Sequence, residues 1–259
     1  MPVDPLTRSV PRRGRLLALA MLGVVGLIGA GAVAAGNGPA GIGTGGVNSA
    51  GDASAGGSSA STPRADRPER PLAVFLGDSY TAGAGATTAS LRWSTLVAHE
   101  AGWTEVNQGG VGTGYDTVAG SNVCADDYCP AYVQRAMQVI NQAPDVVVVA
   151  GGQNDRPALA AEPALVRAAV TETFDLIRQG LPNARIIAVG PSTPTPATPA
   201  VAELDSWVHA AADGVDAEYI SLLAPAVIAA PMVVPDRVHV NNTGHLAIAR
   251  RVLSRLGDY

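Results

Sequence analysis

The sequence predicts an α/β domain in which a parallel sheet is covered by helices on both faces. Three observations carry that expectation. From residue 71 onwards, short apolar runs alternate with longer segments of helical periodicity. The runs are apolar almost throughout, most clearly Val146-Val147-Val148-Val149, and such β-branched runs belong to strands buried on both faces. Glycine-rich or polar segments follow them, and in parallel sheets the loops beyond the strands' carboxyl ends carry the working residues.

The elements follow in order. A first strand spans 72–76 and stops at Gly77. Residues 91–102 are helical in pattern, and 104–107 form a short strand. A helix over 130–142 sets Tyr132, Ala136, Val139 and Ile140 on one face. The valine run makes a strand of 145–150. The helix over 164–180 is closed by Gly180 and Pro182. A strand at 185–189, a helix at 199–213, a strand at 218–222 and a last helix at 242–256 complete the alternation, with no internal repeat.

Composition narrows the chemistry. The chain is 47% hydrophobic and 15% charged, which excludes wholesale disorder. A formal net charge of −5 argues against a nucleic-acid partner. All 17 basic residues are arginine, which removes Schiff-base and P-loop lysine chemistry. Two cysteines are too few for a four-thiolate zinc site or an iron–sulfur cluster. The charge is uneven: residues 1–70 carry seven Arg against four acids, residues 71–259 ten Arg against eighteen.

That asymmetry marks a leader. Arg8, Arg12, Arg13 and Arg15 precede an uncharged run over 16–35, the layout of an export signal, with Ala32-Val33-Ala34 suited to signal peptidase. The run is also about long enough to cross a bilayer, so residues 1–35 read as a signal peptide or as a signal anchor holding the body at a membrane through 16–35. Either way the body is expected outside the cytoplasm, secreted or anchored. Residues 36–70, rich in Gly, Ser and Pro, are expected to be a disordered linker. Residues 71–259 then form a single domain, monomeric by default.

Four segments hold the reactive side chains. Gly77-Asp78-Ser79-Tyr80 follows the first strand, where a nucleophile would stand, although Thr81 breaks a G-x-S-x-G elbow. Asn107-Gln108-Gly109-Gly110-Val111-Gly112-Thr113-Gly114 follows the second, and its glycines let backbone N–H groups approach a ligand. Gly151-Gly152-Gln153-Asn154-Asp155 follows the valine strand and offers an uncharged amide donor. In Asp236-Arg237-Val238-His239 a spacing of three lets a carboxylate hold one ring nitrogen while the other faces a substrate. Each alone also reads as a helix cap, a flexible loop, a turn or a surface pair.

Taken together and in this order, the four segments resemble those of the SGNH hydrolases, also called the GDSL family of esterases and lipases. Gly77-Asp78-Ser79 matches the serine block, with Tyr80 where leucine is usual. Asn107-x-Gly109-x-x-Gly112 matches the glycine block, Gly152-x-Asn154-Asp155 the asparagine block and Asp236-x-x-His239 the last. The resemblance covers essentially all of 71–259. It implies a flavodoxin-like three-layer α/β/α fold with a five-stranded parallel sheet. It also implies hydrolysis of acyl esters through an acyl-enzyme, without metal or cofactor. Ser79 would attack, His239 would shuttle the proton, and Asp236 would orient the imidazole. The Ser79 and Gly112 N–H groups and the Asn154 amide would form the oxyanion hole.

Tyr80 and Tyr115, adjoining the serine and glycine blocks, are candidates to line the acyl or alcohol pocket. The partner is thus a small-molecule, glycan or lipid acyl ester, with short-to-medium chains favoured by the 4% aromatic content. An acyltransferase acting on an envelope glycan or lipid, or an idle envelope-binding domain, are the rival readings. In an exported domain Cys124 and Cys129 are expected to pair, two free thiols being the alternative. His245 lacks an acid three residues before it and is assigned to packing or capping, and Asp78 and Asp155 to bracing loops. Asn241-Asn242-Thr243 is read as a helix cap rather than a glycosylation acceptor.

Overall fold

The computed structural model describes residues 70–124 and 127–257. The leader expected over 1–35 and, Arg70 apart, the linker expected over 36–70 lie outside the described residues. In chain order the elements are β1 (Leu72–Gly77), α1 (Ser79–Ala82), α2 (Trp93–Glu100), β2 (Thr104–Gly109), β3 (Ala119–Gly120), β4 (Tyr128–Cys129) and α3 (Tyr132–Ile140). They continue with β5 (Val146–Ala150), α4 (Arg156–Ala161), α5 (Pro163–Gly180), β6 (Arg185–Val189), α6 (Pro199–Gly214), β7 (Glu218–Ile220) and α7 (Asn242–Leu253). Among the described residues no helix is long and apolar enough to cross a membrane.

Five strands form one parallel sheet in the order β2-β1-β5-β6-β7, the flavodoxin-like arrangement. β3 and β4 make a separate antiparallel pair. Strand side chains alternate between faces, which explains the buried valine run. Val147 and Val149 face one core with Val74, Leu76, Ile186 and the inner sides of α3, α5 and α6. Val146 and Val148 face the other with Phe75, Trp93, Ile187 and the inner sides of α2 and α7. The sheet is therefore the middle of three layers.

The expected elements are all present, with shifted ends. β2 runs two residues further than expected, to Gly109. β7 stops at Ile220 because Ser221 Oγ accepts the N–H groups of Leu223 and Ala224 (both 3.1 Å) and turns the chain away. α7 ends at Leu253 rather than 256. α1, α4 and the β3–β4 pair were not expected, being two to six residues long and too short for periodicity to register.

One buried cation locks the carboxyl edge. Arg135 on α3 is 6% exposed. Its Nη1 donates to the Gln108 carbonyl (2.6 Å), and its Nη2 to the Gly77 carbonyl (3.0 Å) and Thr113 Oγ1 (2.8 Å). It thereby ties the ends of β1 and β2 to the turn that follows β2. Arg135→Met keeps the apolar stem but removes all three of these hydrogen bonds. With each charged hydrogen bond contributing about 1.5–3 kcal/mol, urea denaturation should show a stability loss of about 3 kcal/mol or more.

Candidate active site

Ser79 is the first residue of α1, directly beyond β1 and the Gly77-Asp78 turn. Asp78 caps the short helix, its Oδ1 accepting the Tyr80 N–H at 2.8 Å. Gly109 lets α1 lie against the end of β2, since a Cβ there would collide with backbone atoms of Thr81 and Ala82. Asn107 fastens the same helix: Nδ2 donates to the Thr81 carbonyl (2.7 Å) and Ser94 Oγ (2.9 Å), while Oδ1 accepts the Gly109 N–H (2.9 Å). The serine is thus fixed by the backbone around it.

His239 arrives on the long connection between β7 and α7. An antiparallel bridge between Val233 and Val240 closes this loop, and the Val234 N–H donates to the His239 carbonyl at 3.0 Å. Tyr80 Oη reaches across from α1 and donates to the Val238 carbonyl at 2.6 Å. The outcome is a contact of 3.0 Å between His239 Nε2 and Ser79 Oγ, 160 residues apart in sequence. On the far side of the ring, Nδ1 lies 2.7 Å from Asp236 Oδ2. Asp236 Oδ1 accepts the N–H groups of His239 (2.9 Å) and Val238 (2.8 Å). Those backbone donors lead in holding its carboxyl down to about 2, so it is a carboxylate at neutral pH. A carboxylate only accepts, so Nδ1 carries the proton and Nε2 accepts from the serine hydroxyl.

The two remaining segments are stitched to each other. Asn154 Nδ2 donates to the Thr113 carbonyl at 2.9 Å. Asp155 accepts four donors from the stretch after the glycine turn: the Tyr115 N–H on Oδ2 (2.7 Å), and on Oδ1 the N–H groups of Asp116 (3.1 Å) and Thr117 (2.9 Å) and Thr117 Oγ1 (2.7 Å). Gly112 sits in the turn at φ +77°, a conformation other residues rarely adopt, and a Cβ would run into Val123. Asp78 and Asp155 thus brace loops, as expected.

Ser79, Tyr80, Asn154, Pro194, Val201 and Val238 are among the residues that line one cleft of about 200 Å³. One expectation needs correction. Tyr115 does not line this cleft. It is fully buried, packed against Tyr132 (ring centroids 4.9 Å apart) and Phe174 (6.2 Å), because the Asp155 network pulls its backbone inward. Tyr80 does line the cleft, but it is also a strut to the histidine loop, a role the sequence did not reveal. Gly112 lies beside Asn154's acceptor rather than among the cleft-lining residues.

Cys124 and Cys129 are joined in a disulfide beside the β3–β4 pair. His245 is fully buried, its Nε2 3.1 Å from the Ala84 carbonyl and its Nδ1 accepting the Trp93 N–H at 3.4 Å. Burial lowers its pKa, so it packs as a neutral ring. Asn241 caps α7, accepting the N–H groups of Thr243 (3.0 Å) and Gly244 (3.2 Å). Sequence reasoning missed Arg135. Its signal was a cation three residues after Tyr132, on the otherwise apolar face with Ala136 and Val139. Among the described residues no group of three His, Cys, Asp or Glu side chains is placed to hold a metal.

Residues 75–247 match the family model of the GDSL-like lipase/acylhydrolase family. The chain belongs to that family. Its class is therefore that of a carboxylic ester hydrolase. The GDSL lipase Rv0518 of Mycobacterium tuberculosis is 25% identical over 194 residues, which cover 70% of this chain and 79% of that one. Among solved structures, a psychrotrophic esterase from Pseudoalteromonas sp. superposes with a TM-score of 0.55 at 16% identity, covering 72% of this chain and 96% of that chain. An acetyl xylan esterase from Geobacillus stearothermophilus gives 0.53 at 18% identity, over 73% and 95%. A two-domain esterase active on acetylated mannans gives 0.55 at 16% identity, over 73% of this chain and 49% of that one. At such identities these neighbours speak for the fold.

Asp78 gives the site a measurable pH signature. The side chain is fully buried, and burial pushes its carboxyl from 3.8 up to about 7, against opposing pulls from the Tyr80 N–H, Arg135 and His239. The folded protein therefore holds this proton more tightly than the unfolded chain does. The contribution of Asp78 to stability falls as pH rises from about 4 to about 7 and is level above that. Asp78→Asn retains a cap and cannot ionise. Its melting temperature relative to the wild-type protein should climb across that window and then plateau, as read from thermal melts at pH 4, 5.5 and 7.5.

Proposed function

We propose that this protein is a serine esterase that cleaves acyl esters through an acyl-enzyme, and that it works outside the cytoplasm. The observation that carries the reading is the relay from Asp236 through His239 to Ser79, with contacts of 2.7 and 3.0 Å. Ser79 Oγ attacks the ester carbonyl while His239 Nε2 takes its proton. The protonated ring, stabilised by the Asp236 carboxylate, gives that proton to the departing alcohol. Water, activated by the same nitrogen, then attacks the acyl-serine, and collapse of the second tetrahedral species returns the serine hydroxyl.

The oxyanion in both halves is assigned to the Ser79 and Gly112 N–H groups and the Asn154 amide. Asn154 uses one amide hydrogen on Thr113, which fixes its plane and leaves the other for substrate. A cleft of about 200 Å³ suits short-to-medium acyl groups. A relative that acts on acetylated mannans and another on acetyl xylan agree with that preference. The disulfide supports an oxidising compartment, in keeping with the leader.

Two experiments test the reading. Incubation with a fluorophosphonate followed by intact mass measurement should show one adduct per chain, absent in Ser79→Ala; an unlabelled wild-type protein sinks the proposal. Asn154→Ala should lower kcat for p-nitrophenyl acetate about a hundredfold or more, with a much smaller change in KM, because the lost donor acts on charge that develops only in the transition state.

A further inference from the structure

The cleft that holds Ser79 differs in charge from the domain around it. Residues 71–259 carry eighteen acids against ten arginines, yet no Asp or Glu lines the cleft, while Arg156 and Arg237 both do. They come from two different loops. Arg156 opens α4, two residues after Asn154, and Arg237 lies inside the Asp236–His239 segment. Both are exposed. Among the described residues neither guanidinium has a hydrogen-bond or ion-pair partner. Several other arginines are committed to the fold: Arg135, Arg178 and Arg251 to carbonyls, Arg185 to Glu218.

Arg237 is held in an unusual way. Its φ is +61°, a left-handed conformation that L residues rarely adopt and that Gly or Asn would take with less strain. A long cationic side chain stands where the backbone favours a small one, one step from the carboxylate and two from the imidazole. Arg237 makes no ion pair with the neighbouring Asp236 carboxylate, whose oxygens serve His239 and Val238. A cleft lined by one sign of charge concentrates its potential on whatever enters. A guanidinium with free donors binds carboxylate or phosphate in a fork.

We infer that the cleft selects esters bearing an anionic group, a carboxylate or a phosphate, with Arg156 and Arg237 as the residues that determine this specificity. The inference rests on the ester-hydrolase reading of the same site and adds its substrate class. Either side of the ester can carry the charge, and two matched pairs of probes distinguish them. Monomethyl glutarate against methyl pentanoate places it on the acyl side, and 4-acetoxybenzoate against 4-acetoxybenzamide on the alcohol side.

With each kcat/KM divided by the hydroxide rate of that ester, the anionic member of at least one pair should lead by about tenfold or more at low ionic strength, and the lead should shrink as salt shortens the reach of the field. The double substitution Arg156→Gln/Arg237→Gln should reduce the lead at least about tenfold, and Arg156→Lys/Arg237→Lys should restore part of it. Equal rates within both pairs, or a lead that survives the double Gln substitution, overturns the inference. Fluorophosphonate labelling of the same preparations separates the two levels. A labelled serine without anion preference brings down this inference alone, and an unlabelled serine brings down the esterase reading with it.

Discussion

The loops beyond β1, β2 and β5 depend on how the backbone polar groups at the sheet's carboxyl edge are satisfied. Parallel strands that end together leave carbonyl and N–H groups with no further strand to pair with, and here they end between two helical layers. Side chains supply the partners. Arg135 takes the carbonyls of Gly77 and Gln108, Asn107 takes that of Thr81 and the Gly109 N–H, and Asp155 takes three N–H groups in a row. Each partner thereby fixes a loop that also bears a reactive residue. Structural satisfaction and the placing of the chemistry are the same set of bonds.

The histidine loop is held differently. It has no strand pairing with the central sheet and is positioned by its own bridge and by Tyr80, which sits beside Ser79. The serine and the imidazole are thus fastened to each other through one tyrosine hydroxyl as well as through their own contact. The burial that makes Tyr80 reluctant to ionise also makes that bond hard to exchange for water.

The legible part of this molecule is the part that repeats. Apolar runs and helical faces extend over enough residues for their period to show, and all five sheet strands and the longer helices were readable within a few residues of their ends. Ser79, Asn154, Asp236 and His239 stood out as candidates because their segments fall in an order that matches a known family, and the fold brings Ser79, His239 and Asp236 into contact. The failures share a cause, which is that a side chain's direction depends on partners far away in sequence. Tyr115 adjoins the glycine block, and only the Asp155 network shows that it turns inward. Arg135 is a charge on a helix until the carbonyls of Gly77 and Gln108 are seen beneath it. Tyr80 is a neighbour of the serine until Val238, 158 residues later, arrives to accept its hydroxyl.

Because Ser79, the proposed nucleophile, lies near the start of the domain and His239, its proposed base, 160 residues later, the order of synthesis bears on the proposed chemistry. A nascent polypeptide holds the serine, the glycine turn and the asparagine long before the imidazole emerges. Before residue 239 is in place, the Ser79 hydroxyl has no imidazole to accept its proton. On the proposed mechanism, a fragment that stops short of residue 239 would be inert toward esters.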